Sequence, residues 1–203
     1  MICILSSGRS GTTYTSNLLN ALGVDVGHEK VGERGMIGCN WYEFLDRPKY
    51  RGKFTRRLHQ VREPIACIRS MLTLKNGIFS RIESVVGAPK LHPNEELRKV
   101  HRAASVYMRF NHLMASKASW TYRVEDLKFG SAVYDNLCNI FDVPRGTRPR
   151  ILRLPLNINT RPKAGVPEVS WEILKKIDES LSDGIMSMAE SYGYTYAKQE
   201  ITQ

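Results

Sequence analysis

Cysteine is scarce in this chain, and what there is does not cluster. Cys3, Cys39, Cys67 and Cys138 lie far apart among 203 residues, with no C-x-x-C pair and no histidine at ligand spacing, so a structural zinc site is not expected. Three of the four fall in apolar or amphipathic stretches, which suits reduced, buried thiols in a cytosol-like compartment. No run reaches the roughly eighteen apolar residues that a membrane span needs. Met1 opens directly onto an apolar run of strand length, with no room for a signal peptide. The expectation is a cytoplasmic chain with no membrane partner. Internal repeats, low-complexity linkers and basic tails are also missing, as are the basic stretches with interleaved aromatics that mark RNA-binding modules.

What is present sets further bounds. With 42% hydrophobic and 25% charged residues, the chain can bury one sizeable core, and a single domain over residues 1–203 is expected. Thirty Lys and Arg against twenty Asp and Glu give a net charge of +10, which predicts an anionic partner. Nucleic acid, an acidic surface and a multiply phosphorylated nucleotide all qualify. Because the basic residues are scattered, nucleic acid is the weaker of these and is not expected.

The N-terminal stretch carries the most informative pattern. Met1–Leu5 reads as a buried strand, Ser6-Ser7-Gly8-Arg9-Ser10-Gly11-Thr12-Thr13 as a loop of small residues with one cation, and Tyr14–Leu22 as a helix closed by Gly23. In such a unit, backbone N–H groups and a positive helix N-terminus converge on an anion, so the loop is a candidate phosphate site. It differs from the nucleoside-triphosphate loop G-x-x-x-x-G-K-S/T. With the last glycine set on Gly11, Ser6 stands at the first glycine and Thr12 at the lysine. The cation is Arg9 instead.

Val24-Asp25-Val26 reads as a very short strand ending at Gly27-His28-Glu29. Parallel strands present their C-terminal ends at one edge, so His28 and Glu29, two groups able to take a proton, should stand beside the loop. Residues 32–41, glycine-rich and polar, read as a loop lining an acceptor pocket. Phe54–Val61 leads as a strand into Arg62-Glu63-Pro64, and Ile65, Ile68, Met71, Leu72 and Leu74 follow at helical spacing up to Gly77. Residues 78–93 read as a loop. Asn94 caps a long helix from Glu95 to about Lys117, Trp120–Val124 is a strand, and Ala132–Phe141 a helix. Further helices begin at Ser170-Trp171 and near residue 184. This alternation predicts an α/β fold of three layers, with a central, mostly parallel sheet flanked by helices.

Arg9-Ser10-Gly11-Thr12-Thr13 after a first strand resembles the K/R-S-G-T-T loop of the sulfotransferases that use 3′-phosphoadenosine-5′-phosphosulfate (PAPS). A second landmark of that family is an arginine before a D/E/N-P pair with a serine eight residues later, here Arg62, Glu63-Pro64 and Ser70. Tyr122-Arg123-Val124-Glu125-Asp126-Leu127 is similar to a third, a strand ending R-Y-E-D-L, with Val124 where tyrosine often stands. Asp142-Val143-Pro144 is similar to the family's G-V-P. These landmarks run in order from Ile2 to about Lys163.

The resemblance implies a P-loop-like sulfotransferase fold in which Gly8, Arg9, Ser10, Gly11, Thr12 and Thr13 cradle the 5′-phosphosulfate and Arg9 touches the group transferred. It implies that Arg62 and Ser70 bind the 3′-phosphate, an arginine fork supplemented by a neutral hydroxyl. Arg161 and Lys163, in the irregular stretch 157–163, would close over that phosphate. Relatives draw a catalytic base from the region of Glu29 and His28, here Glu29 first and His28 second. The implied cofactor is PAPS, released as 3′-phosphoadenosine-5′-phosphate, with no metal. The implied acceptor is a small molecule, carbohydrate or peptide bearing a hydroxyl, phenol or amine. Golgi members carry an N-terminal membrane anchor, so its absence here implies a bacterial or viral source. Two other readings stay open: a phosphate-loop kinase using ATP, against which the missing lysine argues, and a non-catalytic basic module that binds nucleic acid.

Overall fold

The computed structural model describes residues 1–45, 47–147 and 165–196. Among them five strands form one sheet: β1 (Ile2–Ser6), β2 (Val26–His28), β3 (Gly35–Gly38), β4 (Arg56–Val61) and β5 (Trp120–Arg123). Their order is β2-β3-β1-β4-β5, and every pairing is parallel. The helices are α1 (Thr12–Ala21), α2 (Tyr42–Leu45), α3 (Pro64–Met71), α4 (Asn76–Val86), α5 (Glu95–Lys117), α6 (Ala132–Ile140), α7 (Trp171–Ile177) and α8 (Glu179–Ser191).

The alternation of side chains along β1 divides the interior in two. Cys3 and Leu5 face a core shared with Met36, Ile68, Tyr107 and Phe110, under α3, α5, α7 and α8. Ile2 and Ile4 face the opposite side, where Leu18 and Leu19 of α1 and Leu137 of α6 cover them. A sheet buried on both faces by helices is the three-layer α/β arrangement expected from the sequence. Central apolar residues carry much of its stability: truncating fully buried Ile4 to alanine costs about 2–5 kcal/mol.

Several elements differ from the sequence-based expectation. The second strand forms at Val26–His28 rather than at residues 24–26, because Val24 still belongs to the exit from α1, its N–H donating to the Leu19 carbonyl. Residues 32–41 are not a plain loop: Gly35–Gly38 is β3, a buried strand between β2 and β1. Its glycines mark close packing, since a Cβ at Gly35 would collide with the Ile2 carbonyl oxygen. The stretch 78–93 contains most of α4. Gly77, expected to close the preceding helix, sits in α4's first turn, while α3 ends at Met71. Phe79 and Ile82 bury that helix in the core it shares with α5, and packing rather than propensity makes it a helix. The last helix starts at Glu179, not near 184, where Asp178 caps it through Oδ1 and the Leu181 N–H at 2.9 Å.

All four cysteines are free thiols, Cys3, Cys67 and Cys138 buried and Cys39 half-buried. Among the described residues no helix is long and apolar enough to cross a membrane. Arg161 and Lys163 lie outside the described residues.

Candidate functional site

Five parallel strands end at one edge of the sheet, and the loop between β1 and α1 rises there. Two left-handed residues, Arg9 (φ 72°) and Gly11 (φ 82°), turn the chain. A side chain at Gly11 would be strained by that φ and would also meet Val124, whose Cγ2 stands 2.9 Å from the position of a Cβ. Gly11 is the N-cap of α1, so no side chain caps the helix. The first-turn N–H groups and the positive end of the helix dipole therefore stay available to an anion.

Buried polar groups support the loop from beneath. Gln60, the residue of β4 in register with Ser6, donates from Nε2 to the Ser10 carbonyl at 2.6 Å. Its Oε1 accepts from Thr15 Oγ1 at 2.6 Å and from the Tyr122 hydroxyl at 2.8 Å. The hydroxyls of Ser7 and Ser10 bond each other above the Cys67 thiol, 3.7 and 3.5 Å away. Burial pushes that thiol's pKa above its ordinary range, and the serine contacts only partly oppose the shift. Ser10 thus departs from its expected role. Its hydroxyl lies under the loop, and its N–H is bonded to the Ser7 carbonyl at 3.3 Å.

The side chain of Arg9 reaches α3's end, where Nη2 donates to Thr73 Oγ1 at 2.6 Å and that hydroxyl in turn donates to the Ser70 carbonyl at 2.7 Å. Its Nε is buried with no partner among the described residues, a costly state for a guanidinium N–H unless an acceptor arrives. Arg62, just past β4, donates from Nη1 to the Arg9 carbonyl at 3.0 Å, and its own carbonyl accepts from the Tyr107 hydroxyl at 3.1 Å. Pro64 and Glu63 start α3: the Glu63 carboxylate accepts from the N–H groups of Ile65 and Ala66 at 3.1 and 2.6 Å. The Glu63 N–H donates to Glu125 Oε1 at 2.8 Å, and Tyr194 donates to Glu125 Oε2 at 2.8 Å. The end of β5 and the segment after α8 thereby hold the β4–α3 turn.

On the other side of the loop, His28 ends β2 with Nε2 at 2.9 Å from Thr12 Oγ1 and 3.4 Å from Thr13 Oγ1. Glu29 follows in a left-handed conformation (φ 54°). Its carboxylate accepts from the N–H groups of Cys39 and Asn40 at 3.0 and 3.3 Å. Gly38 leaves the space this needs, since a Cβ there would lie 2.5 Å from Glu29 Oε2. A strained backbone, two amide donors and a bare glycine together fix one carboxylate. Burial, reinforced by the Glu29 charge, pushes the Cys39 thiol up to about 12.

These groups surround one cavity of about 1180 Å³. Gly8, Arg9, Gly11, Thr12 and Thr13 line its middle, Arg62, Ser70, Val124, Glu125 and Lys128 the side toward β4 and β5, and His28, Glu29, Asn40, Tyr42, Glu43 and Arg81 the side toward β2, β3 and α4. It is larger than the roughly 300–1,000 Å³ of a pocket for one small ligand, which suits two ligands bound together. Among the described residues no group of three or more His, Cys, Asp or Glu is arranged to hold a metal ion.

No family model, no curated protein and no solved structure matches this chain. What the site does has to be read from its own residues. Several of these were not singled out in the sequence: Gln60 beneath the loop, Thr73 against Arg9, Gly38 under Glu29, and Glu125 as an anchor. The local signals were Gln60, a polar residue next to His59 in the strand before the Arg62-Glu63-Pro64 turn, and the place of Glu125 in the Tyr122–Leu127 stretch.

Proposed function

We propose that this protein is a sulfotransferase that binds PAPS across the β1–α1 loop and moves its sulfuryl group to a hydroxyl, phenol or amine. The observation that carries this reading is that the loop, Arg62 and Ser70 line one cavity, with Arg62 Nη1 3.0 Å from the carbonyl oxygen of Arg9. An adenosine cofactor anionic at two positions needs two anion-binding elements within one molecule's reach. The α1 N-terminus with Arg9 supplies one, and Arg62 with Ser70 the other. The buried, unpartnered Arg9 Nε fits the same group, because a sulfuryl or phosphate oxygen would satisfy it.

When bound, PAPS supplies a sulfuryl group activated by its phosphate leaving group: the acceptor forms a bond to sulfur as the bond from sulfur to the phosphate oxygen breaks. Arg9 and the N–H groups at the α1 N-terminus hold the negative charge that grows on the leaving side, and each such donor is worth on the order of 3 kcal/mol. Glu29 takes the acceptor's proton. Two amides orient its carboxylate, and each oxygen retains a lone pair for that proton. His28 holds the hydroxyls of Thr12 and Thr13 against the cavity. Four free thiols accord with action in the cytoplasm.

A thermal-shift comparison of 3′-phosphoadenosine-5′-phosphate, ADP and NAD tests the reading. At a hundredfold excess over Kd the bisphosphate stabilises by about 2.7 kcal/mol, a rise of roughly 5–10 °C in Tm for a chain of this size, and labelled PAPS then passes sulfate to an acceptor. Better protection by ADP overturns the proposal in favour of a kinase. Salt-sensitive binding to any duplex, with indifference to free nucleotide, overturns it in favour of a nucleic-acid module.

A further inference from the structure

Two hydrogen-bond acceptor groups on the β2–β3 side of the cavity, the Glu43 carboxylate and Asn40 Oδ1, have no close donor among the described residues. Glu43 of α2 has only 29% of its side chain exposed, yet its partners are two long ion pairs, 3.6 Å to Arg47 and 3.9 Å to Arg81. Both exceed hydrogen-bond distance. The two arginine side chains are 54% and 74% exposed, so water and salt compete for them. Asn40, at the end of β3, donates from Nδ2 to the Glu29 carbonyl at 3.1 Å, while its Oδ1 is buried with no partner among the described residues. Leu74, Ile78 and Ile82 line the same cavity and give it an apolar wall. In a chain of net charge +10, the carboxylates Glu29 and Glu43 line the cavity here beside Arg81, while Arg69 of α3 also lines the cavity.

We infer that the acceptor bound here carries a protonated amine on a compact body with one apolar face, and that Glu43 selects it by charge. The inference rests on the sulfotransferase reading, because the acceptor's hydroxyl must reach Glu29. An ammonium supplies the donors that Glu43 and Asn40 Oδ1 lack, and a charge-assisted bond to a half-buried carboxylate outcompetes loose surface ion pairs. A polyanionic acceptor would meet two carboxylates of its own sign. The ammonium binds and does not react. The hydroxyl oxygen forms the bond to sulfur, its proton passes to Glu29, and the bond between sulfur and the nucleotide breaks.

The test uses the full chain in two steps. The first is the thermal shift with 3′-phosphoadenosine-5′-phosphate. The second is sulfate transfer from labelled PAPS to three phenols that differ in charge: tyramine (cationic), 4-methylphenol (neutral) and 4-hydroxyphenylacetate (anionic). The expected KM for tyramine is about tenfold below that for 4-methylphenol, with 4-hydroxyphenylacetate the weakest. Glu43→Gln raises the tyramine KM to that of the neutral phenol, and Glu43→Asp keeps the preference. A nucleotide shift accompanied by no transfer to any phenol, by preference for the neutral or anionic one, or by an unchanged tyramine advantage in Glu43→Gln overturns this inference alone. No nucleotide shift in the unmodified chain overturns the sulfotransferase reading, and this inference with it.

Discussion

Replacing Gln60 by leucine removes one amide and leaves three polar groups behind it. Gln60 has no exposed surface, and leucine has nearly its volume, so lost packing is a minor part of the effect. The Ser10 carbonyl, the Thr15 hydroxyl and the Tyr122 hydroxyl lose bonds of 2.6, 2.6 and 2.8 Å. Thr15 can turn to the Gly11 carbonyl one helical turn back; the other two stay buried and unpaired. At about 1–3 kcal/mol for each, the loss is roughly 2–6 kcal/mol, a large part of a typical total of about 5–15 kcal/mol. A fall of roughly 10 °C in Tm is the expected reading. Tyr122→Phe removes one hydroxyl without touching the loop and costs about 1 kcal/mol. Urea denaturation compares the two variants, and the bisphosphate thermal shift reports on the loop, which Gln60→Leu releases and Tyr122→Phe does not. Stability of Gln60→Leu within 1 kcal/mol of the unmodified chain, that ~1 being the lower bound for a single orphaned group, would refute the reasoning. So would equal loss of nucleotide protection in both variants.

Other perturbations follow from the same geometry. On the proposed reading, Arg9→Ala lowers sulfate-transfer turnover by about 10²–10³-fold and cuts it far more than it cuts nucleotide affinity, so the nucleotide-induced Tm shift shrinks but persists; steady-state kinetics beside thermal shifts check this. Gly38→Ala puts a methyl group 2.5 Å from Glu29 Oε2 and forces the carboxylate off its amides, so urea unfolding should show a loss of about 1–3 kcal/mol together with loss of transfer. Burial holds the His59 ring at about 4, with its Asn111 hydrogen bond only partly opposing the shift from 6.5. As pH falls, the unfolded chain protonates this histidine first, so stability is intact above about 6.5 and is lost down to about 4, a total of roughly 3 kcal/mol. Urea midpoints measured from pH 7 to pH 4 should follow that slope, and His59→Gln should flatten it by one proton's share.

Where a residue's role depends on its neighbours in the chain, it could be read locally. The apolar run before the Ser6–Thr13 loop had to be a strand buried on both sides. Glu63-Pro64 starts a helix because proline presets the backbone and the preceding carboxylate meets the free N–H groups. Residues 35–38 and 78–86 depart from the local expectation of a loop for one reason: glycine in β3 and Asn76-Gly77 at the start of α4 carry weak or contrary local preferences. The partners that decide them, the backbone of β1 in one case and α5 in the other, lie elsewhere in the chain.

The sequence by itself determined β1, β4 and β5 with the helices that follow them, the cationic loop of small residues after β1, and the presence of two acid–base groups after a short strand. Only the tertiary structure decided which of these share a space. Arg62 stands on the Arg9 carbonyl, and Glu29 on the amides of Cys39 and Asn40. The first contact depends on β4 pairing with β1 and the second on β2 pairing with β3, with all C-terminal ends at one edge. Strand order is set by how the apolar faces of distant segments pack, and a local pattern of residues carries no record of it.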